Sequence, residues 1–250
     1  MPLTTGLVEF WKLDEASGTR NGSLGVFNLA DSGATATASF NPEFNTPTQG
    51  AACANFAATT VLNVASAAAL QISPTVDLTL SAWVNLNTLT NDQFAIVGKS
   101  SNFDGSVVEY GLKYANFGFN SGTWQFPVGT AGNAAGQPFP DPEFRQLSFE
   151  PVVGKWFHLV GIYKVATQPI IMLYVNNQLF DFVNISASVV TPGTARFSVG
   201  ANMGAAGTQG KNIDGRVCNV GLWNRALARE EVGNLYNGGN MLTYPLNQLT

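Results

Sequence analysis

The sequence predicts an all-β, antiparallel fold with one short helix near the C-terminus. Apolar and polar residues alternate with period two in short runs, and Gly, Asn and Pro separate these runs. Helical patterns are limited to two short stretches. All-β sandwiches often fill a length of 250 residues as one domain, so residues 1–250 are predicted to form a single domain.

Three runs show the alternation most clearly. DLTLSAWVNL, at 77–86, predicts a core face made of Leu78, Leu80, Ala82, Val84 and Leu86, and a polar face made of Thr79, Ser81, Trp83 and Asn85. VVEYGLKYA, at 107–115, places together Val108, Tyr110, Leu112 and Tyr114. KWFHLVGIYKV, at 155–165, places Phe157, Leu159 and Tyr163 opposite Trp156, His158, Val160 and Ile162.

Two pairs of runs predict β-hairpins and therefore antiparallel pairing. PIIMLYVNNQLFDFV, at 169–183, contains two apolar runs joined at Asn176-Asn177, and asparagine tolerates the positive φ of a tight turn. FGFNSGTWQF, at 117–126, repeats the pattern with a turn at 120–122.

Helices are predicted at two places. SAAALQ, at 66–71, is long enough for one turn, which Pro74 ends. Residues 228–236 carry acidic residues in the first turn and an apolar stripe, and Gly238 is expected to provide a left-handed cap.

Irregular structure is expected in three segments. Pro127–Pro151 is a long inserted loop rich in Gly and Pro, and Ala201–Asp214 is a second irregular stretch. Residues 240–250 form a C-terminal tail after the helix.

Composition excludes two classes of partner. Charged residues make up 11% of the chain, against about 25% in typical soluble domains, and the net charge is −4 without any basic run. Nucleic acid and anionic membranes are therefore not expected as partners. No apolar run is long enough for a membrane helix, and no signal peptide is visible at the start of the chain.

Four stretches together resemble one family. They are GLVEFWKLDEASGTR at 6–20, LTLSAWVN at 78–85, GKWFHLVGIY at 154–163 with LYVNNQL at 173–179, and IDGRVCNVGLWNRALAREEVGNLYNGG at 213–239. In this order they resemble laminin G-like, concanavalin A-like domains. The resemblance implies a two-sheet antiparallel jelly roll in which the C-terminal helix packs on the last strand.

Catalysis is not expected. Relatives that cleave glucans carry Glu-x-Asp-x-x-Glu on one strand, and this chain lacks that motif. The acid pairs Asp14-Glu15, Asp141 with Glu143, and Glu230-Glu231 lie at a strand end, in a Pro-rich loop and on the helix. His158 has no Ser or Cys motif beside it and is interpreted as a core or groove histidine.

No cofactor is predicted. Similar domains bind calcium through an acid after the first strand, matched here by Asp14, and through acids in the last strand. Cys218 and Asn219 replace those last acids, so Asp14 and Asp214 are interpreted as hydrogen-bond acceptors.

The two cysteines, Cys53 and Cys218, can form a disulfide only if their strands are neighbours. Two buried free thiols are the favoured interpretation, because free cysteine behaves as a small hydrophobic residue.

A glycan site needs an exposed aromatic ring beside amides or hydroxyls. The best candidate stripe is Trp83 with Thr79, Ser81 and Asn85, and the second is Trp124 with Asn120. The alternative for Trp83 is burial under a covering loop, and the alternative for Trp124 is a hairpin residue that packs on its own strand.

These observations predict a non-catalytic recognition or decoration module. The predicted context is a phage virion, in which the chain attaches to a capsid, a tail or copies of itself and also contacts glycans. The alternative is a free-standing carbohydrate-binding lectin domain of a bacterial surface or secreted protein. Either role places the chain on a virion or an extracellular surface.

Overall fold

The computed structural model describes residues 1–33, 37–40, 52–57, 59–90, 92–102, 107–116, 122–130, 133–136, 150–184, 192–242 and 244–246. In chain order the strands are β1 Leu7–Trp11, β2 Ala30–Gly33, β3 Thr37–Phe40, β4 Ala52–Phe56, β5 Thr60–Val64, β6 Leu78–Leu86, β7 Gln93–Asn102, β8 Val107–Ala115, β9 Thr123–Gln125, β10 Val128–Thr130, β11 Asn133–Gly136, β12 Trp156–Lys164, β13 Ile170–Val175, β14 Gln178–Asn184, β15 Phe197–Val199, β16 Asn202–Met203, β17 Gln209–Gly210 and β18 Gly215–Trp223. The helix α1 spans Arg229–Tyr236, and 3-10 turns cover Ala68–Leu70 and Asn237–Gly239.

The strands form two large antiparallel sheets. The first sheet has the order β14-β13-β12-β6-β18-β4-β3, and β1 also pairs with β18. The second sheet has the order β11-β10-β8-β7-β15-β5-β2, and β9 also pairs with β8. Several neighbouring strands, such as β6 and β18 or β7 and β15, are far apart in the chain, so the architecture is a two-layer sandwich rather than a simple meander, and the predicted fold class is confirmed.

The inner faces of both sheets bury one shared hydrophobic cluster. The inner residues predicted for β6 all belong to it, as do Tyr110, Leu112 and Tyr114 on β8. Phe157, Leu159 and Tyr163 also lie in this cluster. The period-two interpretation is therefore confirmed for these residues, whose side chains point between the layers. Val108, predicted to share the face of Tyr110, instead lies in a separate small cluster with Ala95.

The outer face of the first sheet is covered by α1 and by the residues after it. A second buried cluster forms there, and its members are Leu3, Phe10, Val160, Ile162, Tyr174, Trp223, Leu227, Val232, Leu235 and Leu246. The helix begins after Ala228 and ends at Asn237, which has a φ of 48°. The left-handed cap is thus provided by Asn237, followed by Gly238 with a φ of 62°, rather than by Gly238 alone.

Hairpin and turn predictions have mixed outcomes. Asn176 and Asn177 join β13 to β14 with φ values of 49° and 65°, as a tight primed turn requires. The predicted turn at 66–71 is present as the 3-10 turn. Part of the predicted turn at 120–122 lies outside the described residues.

Two predicted irregular segments contain regular structure. Within Pro127–Pro151, β10 pairs with β8 and with β11, because its backbone continues the edge of the second sheet. Within Ala201–Asp214, β16 and β17 form a small hairpin. Short strands without clear alternation of apolar and polar residues cannot be predicted from a period-two pattern.

Residues close to both ends of the chain are joined to each other. The indole nitrogen of Trp223 donates to the carbonyl of Leu3 at 2.6 Å, and Nε of Arg225 donates to the carbonyl of Thr5 at 2.6 Å. Leu3 and Leu246 also share the cluster beneath α1. The first residues, the last strand and the tail therefore form one packed corner.

Candidate functional site

The predicted stacking platform at Trp83 is buried. Only 3% of Trp83 is exposed. Its ring stacks on Tyr236 of α1, with ring centroids 5.7 Å apart and an interplanar angle of 8°, and on His158 at 5.0 Å. The prediction of an exposed platform here is wrong, because the helix that closes the fold covers this part of the polar face.

The hydroxyls beside Trp83 are also used internally. Thr79 Oγ1 donates to the carbonyl of Arg225 at 2.7 Å and accepts from the amide of Leu227 at 3.0 Å, so it anchors the segment leading into α1. Ser81 Oγ lies 2.9 Å from Nε2 of His158. Both residues are buried and serve packing rather than ligand contact.

His158 is a core histidine, as the sequence indicates. Burial lowers its pKa to about 3, so the ring is neutral at physiological pH. A side chain enclosed in this way between Trp83, Tyr236 and Ser81 cannot reach a substrate, and it is not a candidate base.

The second predicted platform is buried as well. Trp124 lies between the sheets, 5.1 Å from the ring of Phe157 and 6.3 Å from that of Tyr114. It faces inward because it is in register with Tyr114 on β8. Asn120, predicted to assist it, lies outside the described residues.

The two cysteines are joined. Cys53 on β4 and Cys218 on β18 form a disulfide with Cα atoms 4.9 Å apart, because β4 and β18 are neighbours in the first sheet. The favoured interpretation of two free thiols is therefore wrong. The disulfide is buried beside Trp83 and Met241, on the same outer face.

One part of this outer face remains in contact with solvent. Across β12, β6, β18 and β4, directly paired positions form a row that we call the open row, consisting of Trp156, Asn85, Arg216 and Asn55. Directly paired residues of antiparallel strands point to the same side of a sheet. Trp156, Arg216 and Asn55 are half-buried, whereas Asn85 is 2% exposed and forms the floor between its neighbours.

The open row rests on a rigid base. Trp156 packs against the cluster that contains Trp83 and the disulfide, which lie in the next row along the same strands. Asn85 Nδ2 donates to the carbonyl of Gly154 at 2.7 Å, which fixes the floor amide and the loop before β12. The aromatic ring and its polar neighbours are therefore preorganised.

Arg216 brings a positive charge to this row. Within the described part of the chain its guanidinium makes no hydrogen bond and no ion pair within 4 Å, and its Nε is shielded from solvent. The nearest acid along β18, Asp214, accepts a hydrogen bond from Asn87 Nδ2 at 2.9 Å. An aromatic face beside a guanidinium and amides suits a polar ligand with a flat apolar side.

Other buried polar groups have structural roles. Glu9 accepts backbone hydrogen bonds from Leu24, Val26 and Phe27 at 2.7–3.1 Å, so it holds the loop after β1. Glu231 binds both terminal nitrogens of Arg225 at 2.7 Å and accepts from the amide of Ala228. Burial acts to raise the pKa of Glu231, but these hydrogen bonds and the charge of Arg225 outweigh it and lower the pKa.

The second sheet contains a buried ion pair. Lys99 Nζ lies 3.3 Å from Oε2 of Glu109, and Glu109 also accepts from the amides of Ile72 and Gly193. Burial lowers the pKa of Lys99 and raises that of Glu109, and the attraction between the two charges opposes both shifts. Through these hydrogen bonds the pair holds the loops of Ile72 and Gly193 on the sheet. Both side chains are already occupied by internal partners and are not available to bind a substrate.

The acids that similar domains use for calcium do not converge. Asp14 pairs with Lys12 at 3.0 Å, and Asp214 binds Asn87. Among the described residues no group of three His, Cys, Asp or Glu side chains is placed to hold a metal ion. Asp141 and Glu143, from another acid pair of the sequence, lie outside those residues.

The chain belongs to the concanavalin A-like lectin/glucanases superfamily. The Laminin_G_3 model of that superfamily matches residues 56–233, which include most strands of both sheets and the start of α1. Comparison with curated proteins finds no match. No helix among the described residues is long and apolar enough to cross a membrane.

Solved structures share the fold at low sequence identity. Domain 4 of AbnA, a GH43 extracellular arabinanase from Geobacillus stearothermophilus, in complex with arabinotriose, matches with a TM-score of 0.60 and 15% identity over 92% of this chain and 97% of that domain. The binding domain of Paraclostridial Mosquitocidal Protein 1 matches with a TM-score of 0.67 and 15% identity, over 94% of this chain and 52% of that one. The Trypanosoma rangeli sialidase matches with a TM-score of 0.60 and 18% identity, over 95% of this chain and 33% of the sialidase.

Proposed function

We propose that this protein is a non-catalytic carbohydrate-binding module and that the open row is its sugar-binding surface. The observation that carries the proposal is the row itself. Trp156 offers an aromatic ring on the uncovered part of the sheet, and Arg216 and Asn55 offer hydrogen-bond donors in register with it. A sugar can stack its CH face on the ring while its hydroxyls bind the polar neighbours.

Fold and chemistry support the same conclusion. The chain belongs to a superfamily of lectins and glucanases, and one structural neighbour is a domain in complex with arabinotriose. The acids Glu9, Glu109 and Glu231 are each engaged in structural hydrogen bonds, and His158 is enclosed. Binding without bond cleavage therefore suits the available side chains.

The disulfide supports a location outside the reducing cytosol. Disulfides persist mainly in secreted, cell-surface and virion proteins. The bond between Cys53 and Cys218 thus favours an extracellular or virion surface, where glycans are encountered.

Binding to a glycan array tests the function, and Trp156→Ala tests the site. We expect the wild-type chain to bind at least one class of oligosaccharide, and Trp156→Ala to weaken that binding by about 1–3 kcal/mol, the range observed for loss of a stacking side chain at a binding site. Phe182→Ala is the matched control, because Phe182 is an aromatic residue with 58% exposure on the edge strand β14 of the same sheet.

Equal loss of binding in both variants contradicts a specific site at Trp156. Release of reducing ends from any polysaccharide contradicts the non-catalytic role. An array without any bound glycan contradicts the proposed function as a whole.

A second candidate is attachment to a larger assembly, such as a phage capsid or tail, or to further copies of this chain. The strand β14 favours it, because it stands at the end of the described order of the first sheet and exposes two large apolar side chains, Leu179 and Phe182. Exposed apolar side chains of this kind can contact another chain. Co-sedimentation with particles, lost in a Leu179→Lys/Phe182→Lys variant that keeps glycan binding, is the expected result.

A further inference from the structure

We infer that the open row selects sugars that carry a negatively charged group, and that Arg216 holds this group. This inference rests on the proposed function and names the ligand class of the same site. It concerns the anionic substituent alone and not the identity of the sugar to which it is attached.

Arg216 differs from the other half-buried arginines of this fold in its hydrogen-bond partners. The other two half-buried arginines among the described residues have partners: Arg225 binds Glu231 and the carbonyl of Thr5, and Arg196 donates to Oδ1 of Asn63. Arg216 has no such partner within the described residues, although its Nε is shielded from solvent. The terminal nitrogens of this guanidinium are not among the buried atoms and have no internal acceptor, so they are the donors that an oxygen of a ligand can reach.

The charge of the open row is opposite in sign to that of the chain as a whole. The chain as a whole carries a net charge of −4, yet the open row contains one cation and two neutral amides. Asp214, the closest acid along β18, is engaged by Asn87 and forms no ion pair with Arg216. A neutral ligand would leave this positive charge uncompensated.

Trp156 and Arg216 are close enough to contact the same ligand. Trp156 and Arg216 are two strands apart, which corresponds to about 10 Å between their backbones. Both side chains are long enough to reach toward each other across the buried Asn85. A sugar ring stacked on Trp156 therefore lies close enough for its charged substituent, or that of the next ring, to meet the guanidinium. The planar fork of arginine matches the geometry of a carboxylate or a similar oxyanion.

Isothermal titration with matched oligosaccharides tests the inference. The ligands are an oligogalacturonide, the same oligosaccharide with methyl-esterified carboxyls, and a sulfated galactose oligomer of equal length. We expect the wild-type chain to bind an anionic ligand at least tenfold more tightly than the neutral ester. Arg216→Gln should reduce this preference to about twofold or less, because a charge-assisted hydrogen bond is lost.

Arg229→Gln is the matched control. It removes the same charge from an exposed position on α1 and should leave all affinities unchanged. Thermal unfolding of Arg216→Gln should stay close to that of the wild type, since no internal hydrogen bond or ion pair is removed and Gln keeps part of the aliphatic stem. Preference for the galacturonide alone assigns a carboxylate, preference for the sulfated oligomer alone assigns a sulfate, and binding of both assigns anions in general.

The inference and the proposed function fail in different ways. Equal binding of neutral and anionic ligands, with Trp156→Ala weakening both, overturns the selection by charge and leaves the sugar site in place. Equal preference for anions in Arg216→Gln and wild type overturns the role of Arg216. Absence of any sugar binding overturns the proposed function and the inference with it.

Discussion

Trp83 and Trp156 point from neighbouring strands toward the same side of the first sheet, one row apart. Trp83 is covered by Tyr236 and is almost fully buried, whereas Trp156 is half-buried at the margin of the same cluster. Alternation along a strand therefore predicts the side of the sheet to which a side chain points, but not whether other elements cover that side. What the helix and tail cover becomes a second core, and what they leave uncovered becomes available for binding.

The covered row contains Trp83 and its partner His158, and it lies beside the open row. The largest difference in stability between these two rows is expected in acid, where His158 opposes protonation. Its pKa in the folded chain is about 3, against about 6.5 when unfolded. Below about pH 6.5 the unfolded chain binds a proton that the folded chain excludes, so stability falls progressively toward pH 3, by about 5 kcal/mol in total.

Urea unfolding at pH 7 and pH 4 measures this loss, of which about 3 kcal/mol should be present at pH 4. Other groups titrate in the same range, so the comparison is made with His158→Gln. The difference between the two pH values should be smaller in this variant by that amount. An unchanged difference contradicts the enclosed, neutral histidine.

The next effect is the contrast between the two tryptophans. Trp83→Ala should lower the free energy of unfolding by about 3–5 kcal/mol, because it leaves a cavity between the sheet and α1. Trp156→Ala should cost about 1 kcal/mol, because part of its ring is already in water. Guanidinium unfolding of both variants gives the comparison. Equal losses would show that the two rows are not distinct.

Removal of the disulfide should have a smaller effect on stability. Cys53→Ala/Cys218→Ala is expected to cost about 2–4 kcal/mol, since the bond closes a long loop in the unfolded chain. Reductant should shift unfolding of the wild type and not of the variant. Identical curves for the wild type with and without reductant would mean that the sulfurs are not joined.

The smallest effect is expected at the start of α1. Glu231→Gln weakens the paired hydrogen bonds to Arg225, and we expect a loss of about 1–2 kcal/mol. Glu230→Gln is the control, because Glu230 is exposed in the same turn. If α1 covers Trp83 as described, tryptophan emission should shift toward the red in Glu231→Gln alone, before global unfolding.

Local patterns predicted the layers of this molecule well. The inner residues of β6, β8 and β12 follow from period-two alternation, and Asn176-Asn177 from the demands of a tight turn. These features depend on neighbours in sequence. They could therefore be predicted from the sequence without knowledge of the strand order.

The candidate binding site could not be predicted from local sequence patterns in the same way. Trp83 stands on the predicted polar face of its strand, and Trp156 stands on the face predicted to lie opposite Phe157 and Leu159. The position of Tyr236, far along the chain, distinguishes the two tryptophans. The alignment of Trp156 with Arg216 depends on β6 lying between β12 and β18. Pairing of Cys53 with Cys218 likewise depends on which strands are neighbours, and the alternation of residues within a strand carries no information about that order.

The packed corner formed by Leu3, Thr5, Trp223 and Arg225 brings the first residues and the end of the last strand close together in space. Because the first residues and Leu246 meet in one cluster, a short linker could join the ends, and the chain could be opened at the exposed residues 205–208 instead. A circularly permuted protein of this kind should keep both layers, since the order of synthesis would change while every strand kept its neighbours.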